Sequence, residues 1–308
     1  MQTAATYKPT PAEFLVIGAT GTQGGAVARQ LLAHHHRVRF LTRSPESPAA
    51  RRLIEAGAQA VSGDLGEPSS LESALSGVNG IFSMSPLDGR GPDSEKLYAS
   101  VLVNAAIRAG VSQFVHASVA GIERTPNHDA PQTLVKYWND KWEIEEIVRS
   151  AGFGSWTILR PTWVMENLAQ PAAQFMFPQL KRGEIYTVLK ADTRLDMVAA
   201  DDIGAFARAA LEDPVRFNGK NIDIAGDSIT MNEVAISLSR VLGKQVRSVF
   251  LHPSEAVVQG LHPNVVNSQD YRNKVGFQVD IEELRHYGIP LTSFETWAQR
   301  NSSKIEVE

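Results

Sequence analysis

The 308-residue chain contains no cysteine. Disulfides, thiolate nucleophiles and cysteine metal sites are therefore excluded, and the absence fits a reducing compartment. Charge imbalance is small: 30 basic and 34 acidic residues leave a formal net charge of −4, mixed along the chain. That balance argues against a nucleic-acid partner. No run of about 18 apolar residues occurs, so no membrane span is expected. Residues 1–12 lack the apolar stretch of a secretory signal and read as an extended arm, and the expected location is the cytoplasm. No repeat or low-complexity tract is present, and no linker marks a clean domain cut. Hydrophobic residues make up 43% of the chain, as in an ordinary globular protein. The length allows one large α/β unit or two lobes.

What the chain does have is a glycine-rich turn, Gly18-Ala-Thr-Gly-Thr-Gln-Gly24, in the spacing G-x-x-G-x-x-G. An apolar run, Phe14-Leu-Val-Ile17, precedes it, and a helical stretch, Ala26 to Ala33, follows. Gly18 lets the chain turn sharply out of a strand, where a side chain would clash. Gly21 leaves the backbone bare for a pyrophosphate, and Gly24 lets the helix pack on the strand. Unpaired N–H groups at the helix start, with the helix dipole behind them, favour the anion. A dinucleotide would therefore be held by Gly18, Thr20, Gly21, Thr22, Gln23 and Gly24.

Strand-like and helix-like segments then alternate. Strands are expected at Arg37–Thr42, Ala58–Ser62, Gly80–Ser83, Ser112–Ala117 and Ser155–Leu159. Helices are expected at Ala49–Ala56, Ser69–Leu75, Asp93–Ala109 and Val135–Ser150. This alternation implies a Rossmann-type α/β fold, a doubly wound parallel sheet covered by helices on both faces. The second half is less regular. Strands are expected at Gly183–Leu189, Asn221–Ile224 (returning to the sheet) and Gln245–Phe250. Helices are expected at Asp202–Glu212, Thr230–Leu242, Ile281–His286 and Leu291–Gln299. The organisation expected is a cofactor domain over 13–160, completed by parts of 190–225. A smaller, interleaved C-terminal substrate lobe would take most of 161–308.

A further absence bears on the cofactor. NAD-selective sites place a carboxylate near the end of the second strand, on the ribose 2′-hydroxyl. Here that strand ends Leu41-Thr-Arg-Ser44, with no acid. Arg43 is placed to bind a 2′-phosphate, so the expected cofactor is NADP(H). Asp64 after the third strand has two readings, an acceptor for the adenine amino group or a turn aspartate. Ser83 and Ser85, beyond the fourth strand, lie where ligands of parallel sheets bind and would meet the ribose.

Tyr137 and Lys141 are four apart on the expected helix Val135–Ser150, which puts them on one face. Tyrosine is a poor acid near neutral pH, and a neighbouring lysine cation favours the phenolate. Such a tyrosine can hand a proton to a carbonyl oxygen as hydride arrives at carbon. Lys141 can also hold the nicotinamide ribose, and Ser118 past the fifth strand can donate to the same carbonyl oxygen. Two other groupings read as structural. His34-His-His36 would complement the first helix's dipole, and Asp201-Asp202 would cap the helix that follows. No metal site is expected.

The chain resembles the NmrA-like group of atypical short-chain dehydrogenase/reductases. The likeness rests on Gly18-Ala-Thr-Gly-Thr-Gln-Gly-Gly25, Leu41-Thr-Arg-Ser44, Phe114-Val-His-Ala-Ser118, Lys141-Trp-Glu-Ile-Glu-Glu146, Leu159-Arg-Pro161 and Met165-Glu-Asn-Leu168. Looser matches follow at Val198–Gly204 and Gly288–Trp297. Members of this group include dinucleotide-sensing regulators, many of which replace the tyrosine of the Y-x-x-x-K pair; here Tyr137 is present, which favours an enzyme. The resemblance implies that Pro161 and Trp163 meet the nicotinamide carboxamide. It places a substrate wall after the sixth strand, with Trp163, Met165, Asn167, Phe175 and Tyr186 as candidates. Together with Met176 and Phe177 these offer an apolar, aromatic surface for a small, hydrophobic, carbonyl-bearing substrate. His128, in the loop before the tyrosine, reads first as a solvated loop histidine and second as an alternative acid. Three functions follow: an NADPH-dependent reductase of a carbonyl, enone or quinone; an NADP-sensing regulator with a protein partner; or a redox-neutral enzyme on the same fold. A homodimer is compatible with each.

Overall fold

A computed structural model of the chain describes residues 11–85, 90–91, 93–124 and 130–308. The first half is built from β1 (Glu13–Val16), α1 (Thr22–Ala33), β2 (Arg37–Thr42), α2 (Pro48–Glu55), β3 (Gln59–Ser62), α3 (Leu71–Leu75), β4 (Gly80–Met84), α4 (Ser94–Arg108), β5 (Gln113–Ala117), α5 (Gln132–Ser150) and β6 (Ser155–Pro161). The second half continues with β7 (Trp163–Val164), α6 (Ala173–Met176), β8 (Glu184–Thr187), β9 (Leu195–Val198), α7 (Ala200–Glu212), α8 (Pro214–Phe217), β10 (Lys220–Ile224), β11 (Asp227–Ile229), α9 (Met231–Leu242), β12 (Arg247–Phe250), α10 (Pro253–Val258), α11 (Pro263–Val275), α12 (Ile281–Arg285) and α13 (Phe294–Asn301).

Seven strands form a parallel sheet in the order β10–β6–β5–β4–β1–β2–β3. This is the doubly wound order, whose direction reverses between β1 and β4. The register pairs Phe14 with Val38 on one side and with Gly80 on the other. Alternation along each strand sends Leu15, Ile81, Phe114 and Ile158 into one buried cluster with Leu71, Leu102 and Val148. Helix α1 buries Ala26, Val27, Ala28 and Leu31. Two smaller sheets follow, β11–β9–β7 and a parallel pair of β8 and β12.

The chain clusters into two compact units. The first comprises residues up to Ala117, Glu145–Ile158 and Gly204–Lys220. The second comprises Ser118–Ile144, Leu159–Ile203 and Asn221–Glu308. Residues 118–144 thus go with the later sequence, not with the rest of the first 160. The reason is packing: Ile122, Ala130 and Trp138 share a buried cluster with Tyr271 of α11. The second unit's main core gathers Met165, Phe177, Leu195, Met197, Leu238 and Trp297.

Helix ends follow their side chains. Ser47 caps α2, with Pro48 in its first turn. Thr230 and Glu233 form a capping box on α9, and Ser293 caps α13. Asp201 and Asp202 lie inside the first turn of α7, not before it. Asp202 instead accepts from the backbone N–H (2.8 Å) and hydroxyl (2.6 Å) of Thr292. Helix α11 and strands β7, β9 and β11 had no counterpart in the sequence pattern. Among the described residues, no helix is long and apolar enough to cross a membrane.

Candidate active site

In the first unit, β1 runs into Gly18, which takes a left-handed φ of 72°. The Gly21 N–H closes the turn on the Gly18 carbonyl at 2.9 Å. A Cβ at Gly24 would lie 2.4 Å from the Gly18 carbonyl carbon and oxygen, so only glycine lets α1 start this close to the strand. Gly21 is the N-cap of α1, which has no side-chain cap and no acid in its first turn. The amides around Thr22, Gln23 and Gly24 are thus left to an outside acceptor. Thr20, Gly21 and Thr22 are exposed and Gln23 is half-buried.

A cleft of about 250 Å³ opens beside this turn, lined by Gly18, Thr20, Arg43, Ser44, Asp64 and Tyr98 among others. Arg43 follows the last residue of β2 and is exposed. Asp64 carries the turn reading: its Oδ1 accepts from the Gly66 N–H at 2.8 Å. Its Oδ2 lies 2.7 Å from Arg90. These partners, the Gly66 N–H first, hold its carboxyl below the usual carboxylate range against the opposing effect of burial. Asp64 still lines the cleft. Ser83 and Ser85 are buried at the end of β4, and Ser83 Oγ is 3.4 Å from His116 Nδ1 on the neighbouring strand. Pro86, next to them, lies outside the described residues.

The second unit holds the residues expected to move a proton. Ser118 follows β5 directly, and its backbone N–H donates to Leu159 O at 2.7 Å. Its Oγ is buried without a hydrogen-bond partner among the described residues. Tyr137 and Lys141 lie one turn apart on α5. The Lys141 ammonium sits 5.4 Å from the centroid of the Tyr137 ring, with the lysine only 6% exposed. Val119, adjacent to Ser118, and Tyr137 pack on the same cluster of Ile122, Ala130, Trp138 and Tyr271. His128 lies outside the described residues.

The expected substrate wall divides. Trp163 is half-buried, and its ring meets Phe177 edge-on at 5.8 Å. Met165 has no accessible surface, which corrects its place in the wall: it is enclosed in the second unit's main core with Leu168, Phe177 and Met197. Phe177 is likewise core, and Met176 is partly buried against it. Asn167 is half-buried in a short 3-10 turn. Phe175 is 57% exposed, and its ring lies tilted against His262 at 4.8 Å. Tyr186 packs on a separate cluster of Val188, Ala256, Leu261 and Val266. Pro161 is buried at the end of β6.

The histidine triplet does more than face a helix end. His36 Nε2 lies 3.0 Å and His34 Nδ1 3.3 Å from Glu212, which α7 supplies and Arg208 also holds. Among the described residues no cluster of acids and histidines can hold a metal ion.

A glycine turn at the switch point of a doubly wound sheet now has matches to set beside it. The family model of the NmrA-like family matches residues 11–284. The chain belongs to the NmrA-like family. It is 32% identical over 242 residues to the NAD(P)H azoreductase of Xenophilus azovorans, covering 79% of this chain and 78% of that protein. Among solved structures, the fold is shared with Citrobacter sp. triphenylmethane reductase complexed with NADP(H), at 20% identity and a TM-score of 0.74 over 94% of this chain and 99% of that one. It is shared equally with NmrA, a negative transcriptional regulator in complex with NADP, at 18% identity and a TM-score of 0.77 over 96% and 97%. The fold thus serves enzymes and a regulator alike, and side chains must separate the two.

Proposed function

We propose that this NmrA-like protein is an NADPH-dependent reductase of a hydrophobic carbonyl, enone or quinone. The observations that carry the reading lie in the second unit: Tyr137 beside the Lys141 ammonium, and the buried Ser118 hydroxyl with no hydrogen-bond partner among the described residues. The family supports an NAD(P)H-dependent oxidoreductase, with an azoreductase as a relative at 32% identity.

The residues present fit the dinucleotide. The uncapped N-terminus of α1, pressed on Gly18 through Gly24, would take the pyrophosphate through amides at Thr22, Gln23 and Gly24, with Thr20 beside it. Arg43 would take the 2′-phosphate; β2 ends Leu41-Thr-Arg-Ser44 in sequence, without the strand-end acid that would prefer a hydroxyl. Asp64, although held by Gly66 and Arg90, borders the adenine end of the cleft. Ser83 and Ser85 would meet the ribose next to the nicotinamide, Lys141 its hydroxyls, and Pro161 and Trp163 the carboxamide. When bound, NADPH supplies the hydride.

The chain's own residues do the rest. Ser118 Oγ donates to the substrate carbonyl and fixes its direction. Tyr137 gives its phenolic proton to that oxygen as negative charge develops there. The Lys141 charge stabilises the phenolate left behind. Trp163, Asn167, Phe175 and Tyr186 remain the substrate candidates, with Met165 withdrawn.

The test is NADPH consumption, followed by its near-ultraviolet absorbance, against quinones, enones and aromatic ketones. The reading predicts turnover with at least one class. Tight NADPH binding with no oxidation by any member would favour the sensing regulator. Product formed without cofactor oxidation would favour the redox-neutral enzyme.

A further inference from the structure

The cleft of the first unit carries an ion pair on its wall. Asp64 lines the cleft, and its Oδ2 lies 2.7 Å from Arg90 Nη1. Arg90 also hydrogen-bonds the phenol of Tyr98, a second lining residue, which α4 supplies. The three side chains converge over Gly66. A Cβ there would lie 3.3 Å from Asp64 Oδ1, 3.5 Å from Tyr98 Cε1 and 3.7 Å from Arg90 Nη1. The guanidinium thus stands against two lining residues of the cleft, with its own side chain 45% exposed.

The two halves of the pair are fixed and opposite in kind. The Gly66 N–H donates to Asp64 Oδ1 at 2.8 Å and sets the plane of the carboxylate. That N–H and Arg90 hold Asp64 ionised, so it can only accept. A carboxylate oxygen has two lone pairs, and Oδ2 commits one of them to Arg90. A guanidinium has five N–H donors and accepts nothing. An acceptor and a donor therefore sit side by side, 2.7 Å apart. An asparagine amide presents the same pattern when it reads adenine, its oxygen taking the amino group and its nitrogen meeting a ring nitrogen. An aspartate alone would leave the ring nitrogen unmet. Hypoxanthine carries an oxygen where adenine has the amino group, and that oxygen would face Asp64 acceptor against acceptor.

We propose that Asp64 and Arg90 together read the base of the dinucleotide, Asp64 accepting from the adenine amino group and Arg90 donating to the neighbouring ring nitrogen. Arg90 is then a specificity-determining residue for an adenine nucleotide, and Tyr98 holds its guanidinium in place. The assignment rests on the placement of the dinucleotide in this cleft and is independent of the reductase chemistry.

Fluorescence titration of the reduced nicotinamide gives the Kd for NADPH and for its hypoxanthine analogue in wild type, Arg90→Met and Arg43→Ala. Methionine keeps an unbranched side chain and removes every donor. Wild type should bind NADPH at least about tenfold more tightly than the analogue. Arg90→Met should raise the Kd for NADPH about tenfold and that for the analogue less than about threefold. Arg43→Ala should weaken both dinucleotides alike, because both carry the 2′-phosphate. Equal affinity of wild type for the two would mean that the base is not read, and would overturn the proposal. Equal loss of both in Arg90→Met would mark an arginine that only attracts phosphate, and would overturn it too. So would unchanged NADPH affinity in Arg90→Met. If Arg43→Ala still weakens NADPH in that case, the dinucleotide stays in the cleft and only the reading of the base falls. If neither variant weakens NADPH, its placement in the cleft falls as well.

Discussion

Arg43 stands exposed at the end of β2, on the wall of the cleft beside the glycine turn. Its guanidinium can grip a phosphate at two points, which a ribose hydroxyl does not reward. Arg43→Ala should therefore raise the Kd for NADPH by about ten- to a hundredfold and that for NADH by less than about threefold. Equilibrium titration of both dinucleotides checks this, and an equal loss would refute the selectivity. Much at this scale was legible in the sequence. Gly18, Gly24 and the Tyr137–Lys141 spacing each reflect a local rule, a turn, a close approach or one helical face. Met165 and Asp64 were less so. Whether a methionine is wall or core depends on what packs over it, and whether an aspartate is free for adenine depends on Gly66 and Arg90. Helix α11 was missed because its apolar positions follow no helical period. The signals present were Pro263 in the first turn and His262 at the cap.

At the scale of elements, the start of α1 is the piece with least tolerance. The Cβ of an alanine at position 24 would meet backbone atoms of Gly18 at 2.4 Å and of Ala19 at 2.8 Å. Backbone cannot swing aside as a flexible side chain can. Gly24→Ala should lower stability by about 1–3 kcal/mol, as overpacking does, and should weaken NADPH binding by displacing the turn. Denaturant melts and cofactor titration on the same protein test both, and unaltered cofactor affinity would show that the turn does not hold the dinucleotide. The elements of the first half were readable because parallel strands are apolar throughout and each is followed by a helix. Strands β7, β9 and β11 run for two to four residues. They are too short to show alternation and are fixed by pairing with partners distant in sequence.

At the scale of the whole molecule, the cleft belongs to the first unit, while Ser118, Tyr137 and Lys141 belong to the second. Two buried carboxyls of the second unit respond to acid in the opposite sense from Asp64 of the first. In the second, burial raises Glu166 above its ordinary value of 4.5, although Ala200 N–H and the Trp297 indole donate to it. Burial likewise raises Asp202 above 3.8. A raised carboxyl contributes stability that is complete below its unfolded value and is lost as pH rises through the folded value. Asp64 in the first unit has the opposite sign: its contribution is present above 3.8 and lost as pH falls. The Tm of wild type minus that of Glu166→Gln should therefore be most favourable below pH 4.5 and should shrink as pH rises above it. A difference that stays level or grows with pH would contradict the assignment. The assignment of residues 118–144 to the second unit was not legible in sequence, because it depends on Trp138 meeting Tyr271 more than a hundred residues later.

The central claim is that the bound cofactor is spent and not merely sensed, with Tyr137 as the proton donor. The most direct measurement is the steady-state rate of NADPH oxidation by Tyr137→Phe with a quinone that wild type reduces, alongside the variant's Kd for NADPH. The account predicts a rate lower by about 10²- to 10⁴-fold with the Kd nearly unchanged. An undiminished rate would contradict it.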